Sequence, residues 1–330
     1  MQPAARTATI AAMHGPLRSL GLLLCLLALG LAACHVPTPT SPPPLELVVL
    51  GIAQDGGVPQ LGCDQPCCAE ARAAGRTLGP ACLGVIDHRH GKLLLIEATP
   101  AVAQQVALLH QLAGTKARGR QAVDGILLTH AHIGHYLGLA HFGREAAASR
   151  HLPVFAAPRL AQFLRREAPW RQLVALEQIA VVECALGAAQ EPLPGLTAVP
   201  LRVPHRDEFS ETVAWRLTGP TRTVLFVPDV DRWDSEPGLL DRLLAGVDVA
   251  YVDGTFFDGS ELPDRDLREI RHPFVTDTMV RLQELAQARP GAVRFLHLNH
   301  TNPALRSPAV RARIAALGFA VAEEGERIGL

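Results

Sequence analysis

From Leu45 onward the chain alternates short apolar runs with turn residues in a regular way. "LELVVLG" (45–51) reads as a strand that ends in the glycine-rich turn "AQDGGVPQLG" (53–62). "CLGVIDHRHGKLLLIEAT" (82–99) reads as two strands joined by a hairpin at 89–91, and "AVAQQVALLHQL" (101–112) has helical periodicity. "VDGILLTH" (123–130) is a further buried strand, and "YLGLAHFGREAA" (136–147) is predicted to begin a helix.

The second half repeats this grammar. "LPVFAAP", "QIAVVECA", "LTAVPLRVPH", "ETVAWRLTG", "RTVLFVPD", "VDVAYVDGTFF" and "AVRFLHLNH" read as strands. "RLAQFLRREAP", "GLLDRLLAG" and "TDTMVRLQELAQA" read as helices. Strands outnumber helices and come in bursts, which favours two packed sheets flanked by helices over one doubly wound sheet. The segment "DGSELPDRDLREIRHPFV" (258–275) is charged and turn-like; it reads as a solvated connection, or as a lid carrying His272.

Polar groups recur where apolar runs stop: His130, His132 and His135, then His205, Asp229, Asp253 and His297. A fold that gathers these strand ends along one edge would converge imidazoles and carboxylates there, a donor set suited to a borderline divalent metal. "HAHIGH" (130–135) crowds three histidines behind one strand, whereas His88, His90, His110 and His151 read as ordinary hydrogen-bonded residues.

Composition narrows the class. At 330 residues the chain can bury a large core in one or two domains, and a net charge of −1 with scattered Lys and Arg gives no nucleic-acid footprint. Arg6 and Arg18 precede an apolar run that closes on "LAAC" (31–34), which resembles a lipoprotein processing site. That reading makes 1–33 a signal peptide, Cys34 the lipidated residue, 34–44 a Pro-rich tether and 45–330 the folded domain. It places the protein in the cell envelope, with the outer membrane favoured, touching the membrane only through its lipid.

"THAHIGHYLGL", "VPHRDEFSETVAW", "VLFVPDVD" and "FLHLNHTNP" together resemble the motifs of the metallo-β-lactamase-fold hydrolases. "GIAQDGGVPQLGC" and "HLNHTNP" narrow the resemblance to the branch around pyrroloquinoline quinone biosynthesis protein B and the phosphonate-pathway phosphodiesterase. The resemblance implies a four-layer αββα sandwich of α/β class with metal at one sheet edge. It implies that His130, His132 and His205 hold a first metal, that His135 and His297 help hold a second, and that Asp229 bridges them. Gly134 stands where the family has an aspartate ligand. A single-metal site, a second site completed by water, or a borrowed carboxylate would each answer that departure. Asp253 is the best donor in view; as an alternative, Asp253 and Glu97 orient histidines without touching metal.

Five cysteines follow Cys34: Cys63, Cys67, Cys68, Cys82 and Cys184. The related phosphodiesterase has a structural zinc site here, so the resemblance implies Cys63, Cys67, Cys68 and His300 as a closed set. A Cys63–Cys67 or Cys63–Cys82 disulfide is the competing reading.

The function expected is hydrolysis of an ester-type bond in a small molecule, phosphodiester ahead of carboxylic ester, with Asp229 and His297 at the chemistry. Zinc is the expected ion, one or two catalytic and one structural, with iron or manganese as substitutes. An iron-dependent oxygenase similar to the quinone-pathway protein is the alternative, and a non-catalytic binding lipoprotein a third reading. Oligomeric state is not legible in the sequence.

Overall fold

The structure is a computed structural model and describes residues 42–330 apart from 264. The leader, Cys34 and most of the tether lie outside the described residues.

Two seven-stranded sheets form the body. The first contains β1 (Leu45–Gly51), β2 (Cys82–Asp87), β3 (Lys92–Ile96), β4 (Gly125–Leu127), β5 (Leu152–Ala156) and β6 (Ile179–Glu183). The second contains β7 (Gln190–Leu193), β8 (Leu196–Val203), β9 (Thr212–Thr218), β10 (Thr223–Val227), β11 (Val249–Asp253), β12 (Val293–Leu296) and β13 (Ala320–Val321). The last strand, β14 (Arg327–Gly329), returns to the first sheet and pairs with β1, so the strand orders are 14-1-2-3-4-5-6 and 13-12-11-10-9-8-7.

Helices α1 (Pro66–Ala73), α2 (Val102–Ala113), α3 (Ile133–Tyr136), α4 (Pro158–Arg166) and α5 (Trp170–Ala175) accompany the first sheet in sequence. Helices α6 (Leu239–Leu244), α7 (Val275–Arg281), α8 (Gln283–Ala288) and α9 (Pro308–Ala316) accompany the second. The layering is the αββα sandwich that the motifs imply.

The apolar runs show no clean alternation because both faces of the first sheet are covered. In β1, Leu47 and Val49 join a core with Trp215, Phe226, Tyr251 and Phe295 of the second sheet. Their neighbours Val48 and Leu50 turn the other way, to Leu109 of α2, Leu139 and Leu160. Each such side chain contributes about 1.5–3 kcal/mol by leaving water. The indole of Trp215 also donates to the Leu128 carbonyl at 3.0 Å, tying the second sheet to the end of β4.

Strand direction decides where the chemistry sits. β3 and β4 are parallel, and β1 runs the same way because two antiparallel pairings separate it from β3. In the second sheet β10, β11 and β12 are parallel, and β8 matches them through antiparallel β9. The polar groups following these strands therefore emerge at carboxyl ends, where open α/β sheets place their ligand sites.

Two predicted helices differ from the structure. After the histidine cluster the chain makes only α3 and a 3₁₀ turn at Leu137–Phe142, since Gly138 packs on the Ala98 and Thr99 carbonyls. "TDTMVRLQELAQA" breaks at Leu282 into α7 and α8. Helix α1, carrying Cys67 and Cys68, has too weak an apolar face to be read from its pattern.

Candidate metal centre

Seven strand-end segments meet at one place. Asp55 follows β1, Glu97 follows β3, and Thr129 to His135 follow β4; His205, Asp229 and His297 follow β8, β10 and β12, and Asp253 closes β11. One donor atom each from His130, His132, His205 and Asp229 lie within 4.8 Å of one another. So do donors from Asp55, His135 and His297, and from Asp253, His272 and His297.

In the first group His130 Nε2 is 2.8 Å from His132 Nδ1, and Asp229 Oδ2 is 3.1 Å from His205 Nε2 and 3.4 Å from His130 Nε2. Bonds of 2.0–2.1 Å to a tetrahedral ion would set ligand atoms roughly 3.3 Å apart, so the spacing is that of a coordination shell. In the second group Asp55 Oδ1 lies 3.3 Å from His135 Nε2 and 3.4 Å from His297 Nε2. Asp229 Oδ2, 3.8 Å from His135 Nε2, stands between the groups.

The residues fit a metal because their inward atoms are orphaned. His135 Nε2, His205 Nε2, His297 Nε2, Asp55 Oδ1 and Asp229 Oδ1 are buried and find no hydrogen-bond partner among the described residues. Leaving one polar atom so costs about 1–3 kcal/mol, and the five fall in the two donor groups just described, where a bound ion in each group would satisfy them.

The opposite ring nitrogens of His130, His132, His205 and His297 are engaged, whereas His135 Nδ1 stands 3.4 Å from Glu97 Oε1 without a hydrogen bond. Thr129 Oγ1 donates to Glu97 Oε1 at 2.5 Å, so it accepts from His130 Nδ1 at 2.9 Å. The second sheet repeats the device: Thr255 Oγ1 donates to Asp253 Oδ1 at 2.7 Å and accepts from His297 Nδ1 at 2.9 Å. Asp231 Oδ1 takes His205 Nδ1 at 3.1 Å, and Glu208 Oε2 takes His132 Nε2 at 3.0 Å. Each contact fixes a tautomer and aims the remaining lone pair inward. Glu97 and His297 hold this arrangement at φ of 82° and 59°, conformations that non-glycine residues adopt at a cost.

Electrostatics follow. Burial, then the neighbouring His135, pushes His130 well below its ordinary value, which favours the neutral imidazole. Burial would raise Asp229, but His272, His130, His132 and His205 together hold it well below the carboxylate range.

Sequence reasoning missed one residue, Asp55, and left another, His272, as one of two readings of its segment. Asp55, in the turn after β1, brings a carboxylate beside His135 and His297, whereas Asp253, the donor favoured from the sequence, spends its oxygens on Thr255, the Val230 amide and His272. The signal was present in "AQDGGVPQLG" as an acidic residue beside two glycines at a strand end, but its partner lies across the fold. His272 joins the edge from the 258–274 connection, its Nδ1 2.9 Å from Asp253 Oδ2 and 3.3 Å from Asp229 Oδ1. Clefts of about 390 Å³, lined by Asp55, Val58 and Pro100, and about 450 Å³, lined by Arg159, Glu208 and Phe209, adjoin the edge.

Apart from this edge, Cys63, Cys67, Cys68 and His300 bring four donors within 4.8 Å. Cys67 and Cys68 open α1, and the His300 ring reaches back from beyond β12 to within 3.7 and 3.4 Å of their sulfurs. All five described cysteines are free thiols, and Cys82, which opens β2, is buried with its Sγ turned to the Leu83 and Glu97 carbonyls.

The chain is 27% identical to coenzyme PQQ synthesis protein B of Methylobacterium sp. (strain 4-46) over 306 residues, 85% of this chain and 98% of that one. The zinc-bound PqqB structure from Methylobacterium extorquens superposes with a TM-score of 0.72 at 24% identity, covering 86% of this chain and all of that one. A diphosphatase of the PhnP family gives 0.62 at 21% identity, covering 86% and 96%. Likeness at these identities establishes the shared fold. The envelope location read from the leader is overturned: the relatives matched over nearly their whole length are coenzyme synthesis proteins, and the anchored location is withdrawn. No described helix is long and apolar enough to cross a membrane. The family model described as the beta-lactamase superfamily domain matches residues 92–298, and the chain belongs to that family as a metal-dependent enzyme of the metallo-β-lactamase fold.

Proposed function

We propose that the protein is a zinc-dependent hydrolase of an ester-type bond in a small molecule, with a phosphodiester ahead of a carboxylic ester. The observation that carries this reading is the pair of donor groups meeting at Asp229, which would hold two ions side by side. His130, His132 and His205 would hold one ion, Asp55, His135 and His297 the other, with Asp229 between them.

Bound there, a divalent ion would supply hydroxide near neutral pH and polarise the scissile oxygen. Asp229, kept ionised by the surrounding imidazoles, orients the attacking water and accepts its proton. His272, braced by Asp253 at 2.9 Å, faces the same space and delivers a proton to the departing oxygen. Cys63, Cys67, Cys68 and His300 would hold a separate structural zinc, a closed set with no open position.

A second reading follows from the resemblance to the quinone-pathway branch: an iron-dependent oxygenase, in a chain whose matched relatives are named coenzyme PQQ synthesis protein B. Such chemistry suits two histidines and a carboxylate with open positions, whereas this edge gathers five histidines and two aspartates in its paired groups. Retention of those donors also speaks against a merely binding role.

The deciding experiment is elemental analysis of the purified full chain with turnover of bis(p-nitrophenyl) phosphate under zinc or manganese, beside oxygen consumption after anaerobic iron loading. Hydrolysis abolished by Asp229→Ala is the expected result. Oxygen consumption without hydrolysis would overturn the reading in favour of the oxygenase.

A further inference from the structure

Gly134 and Asp55 compete for one volume. A Cβ built on Gly134 would lie 2.0 Å from Asp55 Oδ1, 2.5 Å from its Cγ and 2.7 Å from its Cα, all below any tolerable contact. The carboxylate of Asp55 therefore occupies the space into which a side chain at 134 would project. Gly134 sits in α3 with no positive φ, so the glycine answers crowding and not backbone conformation.

We infer that Asp55 is a metal ligand exchanged into this centre from the β1 turn, and that Gly134 is glycine in order to admit it. Three observations converge. Asp55 Oδ1 is buried and unpartnered among the described residues, although 44% of the side chain's surface is exposed. It stands 3.3 and 3.4 Å from His135 Nε2 and His297 Nε2, which are likewise unpartnered. Two imidazoles and a share in Asp229 would leave a divalent charge only partly compensated, and the Asp55 carboxylate supplies a further anion.

The turn that presents Asp55 is built to hold it. Gln54 N donates to the Leu298 carbonyl at 2.9 Å, and Leu298 N donates to the Ile52 carbonyl at 2.9 Å. Asn299 Nδ2 donates to Gln54 Oε1 at 2.5 Å, and Gly57, at φ 68°, closes the turn with its amide on the Gln54 carbonyl at 2.7 Å. The turn carrying Asp55 is thus tied by hydrogen bonds to the segment carrying His297. The carboxylate comes from the neighbour of a ligand on the opposite sheet, where a hexad aspartate would come from the neighbour of His135.

This inference rests on the edge being a metal centre, but not on the reaction being hydrolysis. The test is titration of the metal-free full chain with Zn²⁺ against a chromophoric chelator, with elemental analysis and circular dichroism. Asp55→Ala should weaken one zinc equivalent by more than about tenfold and leave the others unchanged. Gly134→Ala, which adds no ligand and removes none, should weaken the same equivalent by displacing the carboxylate. Should Gly134→Ala fail to fold, Asp55→Ala alone decides. An Asp55→Ala protein that binds every equivalent with native affinity would overturn the assignment. Native zinc binding without phosphodiester turnover would sink the hydrolase reading and leave this one standing.

Discussion

Thr129 donates its hydroxyl to Glu97 Oε1 at 2.5 Å, and that short contact sets the tautomer of a histidine it does not include. A carboxylate only accepts, so the hydroxyl must spend its proton there and receive one from His130 Nδ1. Thr129→Val should lower the affinity of the His130 ion by about 10–100-fold while the fold persists. Zinc competition with a chelator, read beside the thermal midpoint, checks this; undiminished affinity would mean the hydroxyl orients nothing.

His272 should separate metal binding from turnover. It reaches the edge through Asp253 and Asp229 from a connection outside the strands. His272→Gln should retain wild-type zinc and reduce kcat by about 10²–10⁴-fold, the usual worth of a positioned proton donor. The paired measurements are elemental analysis and steady-state kinetics. Loss of zinc in step with kcat would reassign His272 as a ligand.

The cysteine-rich site should hold structure and not chemistry. Cys68→Ser removes one sulfur from a set whose members come from α1, the segment just before it, and beyond β12, with Cys68 and His300 more than two hundred residues apart in sequence. One zinc equivalent should disappear and the thermal midpoint should fall by several degrees, while kcat at 25 °C stays within about twofold of native. A midpoint insensitive to Cys68→Ser would show that no ion closes this site.

Acid should act on the seam between first and last strands. Burial pushes the Glu46 carboxyl up, but Arg327 of β14 and His88 outweigh it, and the net position is below the ordinary carboxylate value. A depressed carboxyl contributes fully above its unfolded pKa of about 4.3 and loses that contribution as pH falls through its folded value. Glu46→Gln should therefore be less stable than native by about 1–3 kcal/mol at pH 7, and the gap should narrow below pH 4. Urea midpoints across that range measure it; a gap independent of pH would assign the effect to packing.

Much of this was legible in the chain alone. Apolar runs located β1 to β6 and β8 to β12, because a strand buried on both faces announces itself by local composition. His130, His132, His135, His205, Asp229 and His297 each stand directly after such a run, so their arrival at one edge needed only parallel strand direction. Asp55 escaped that reasoning, and His272 entered it only as one of two readings of the 258–275 segment. Whether a side chain reaches a site depends on the path of a turn, and the 53–62 turn is shaped by bonds to residues 298 and 299, far away in sequence. The glycine at 134 could be seen as a gap, but only the assembled fold shows what fills it, because exclusion between two side chains is a property of space shared and not of sequence. Local patterning thus determined the elements and most of the donors, while long-range packing decided which carboxylate completes the set.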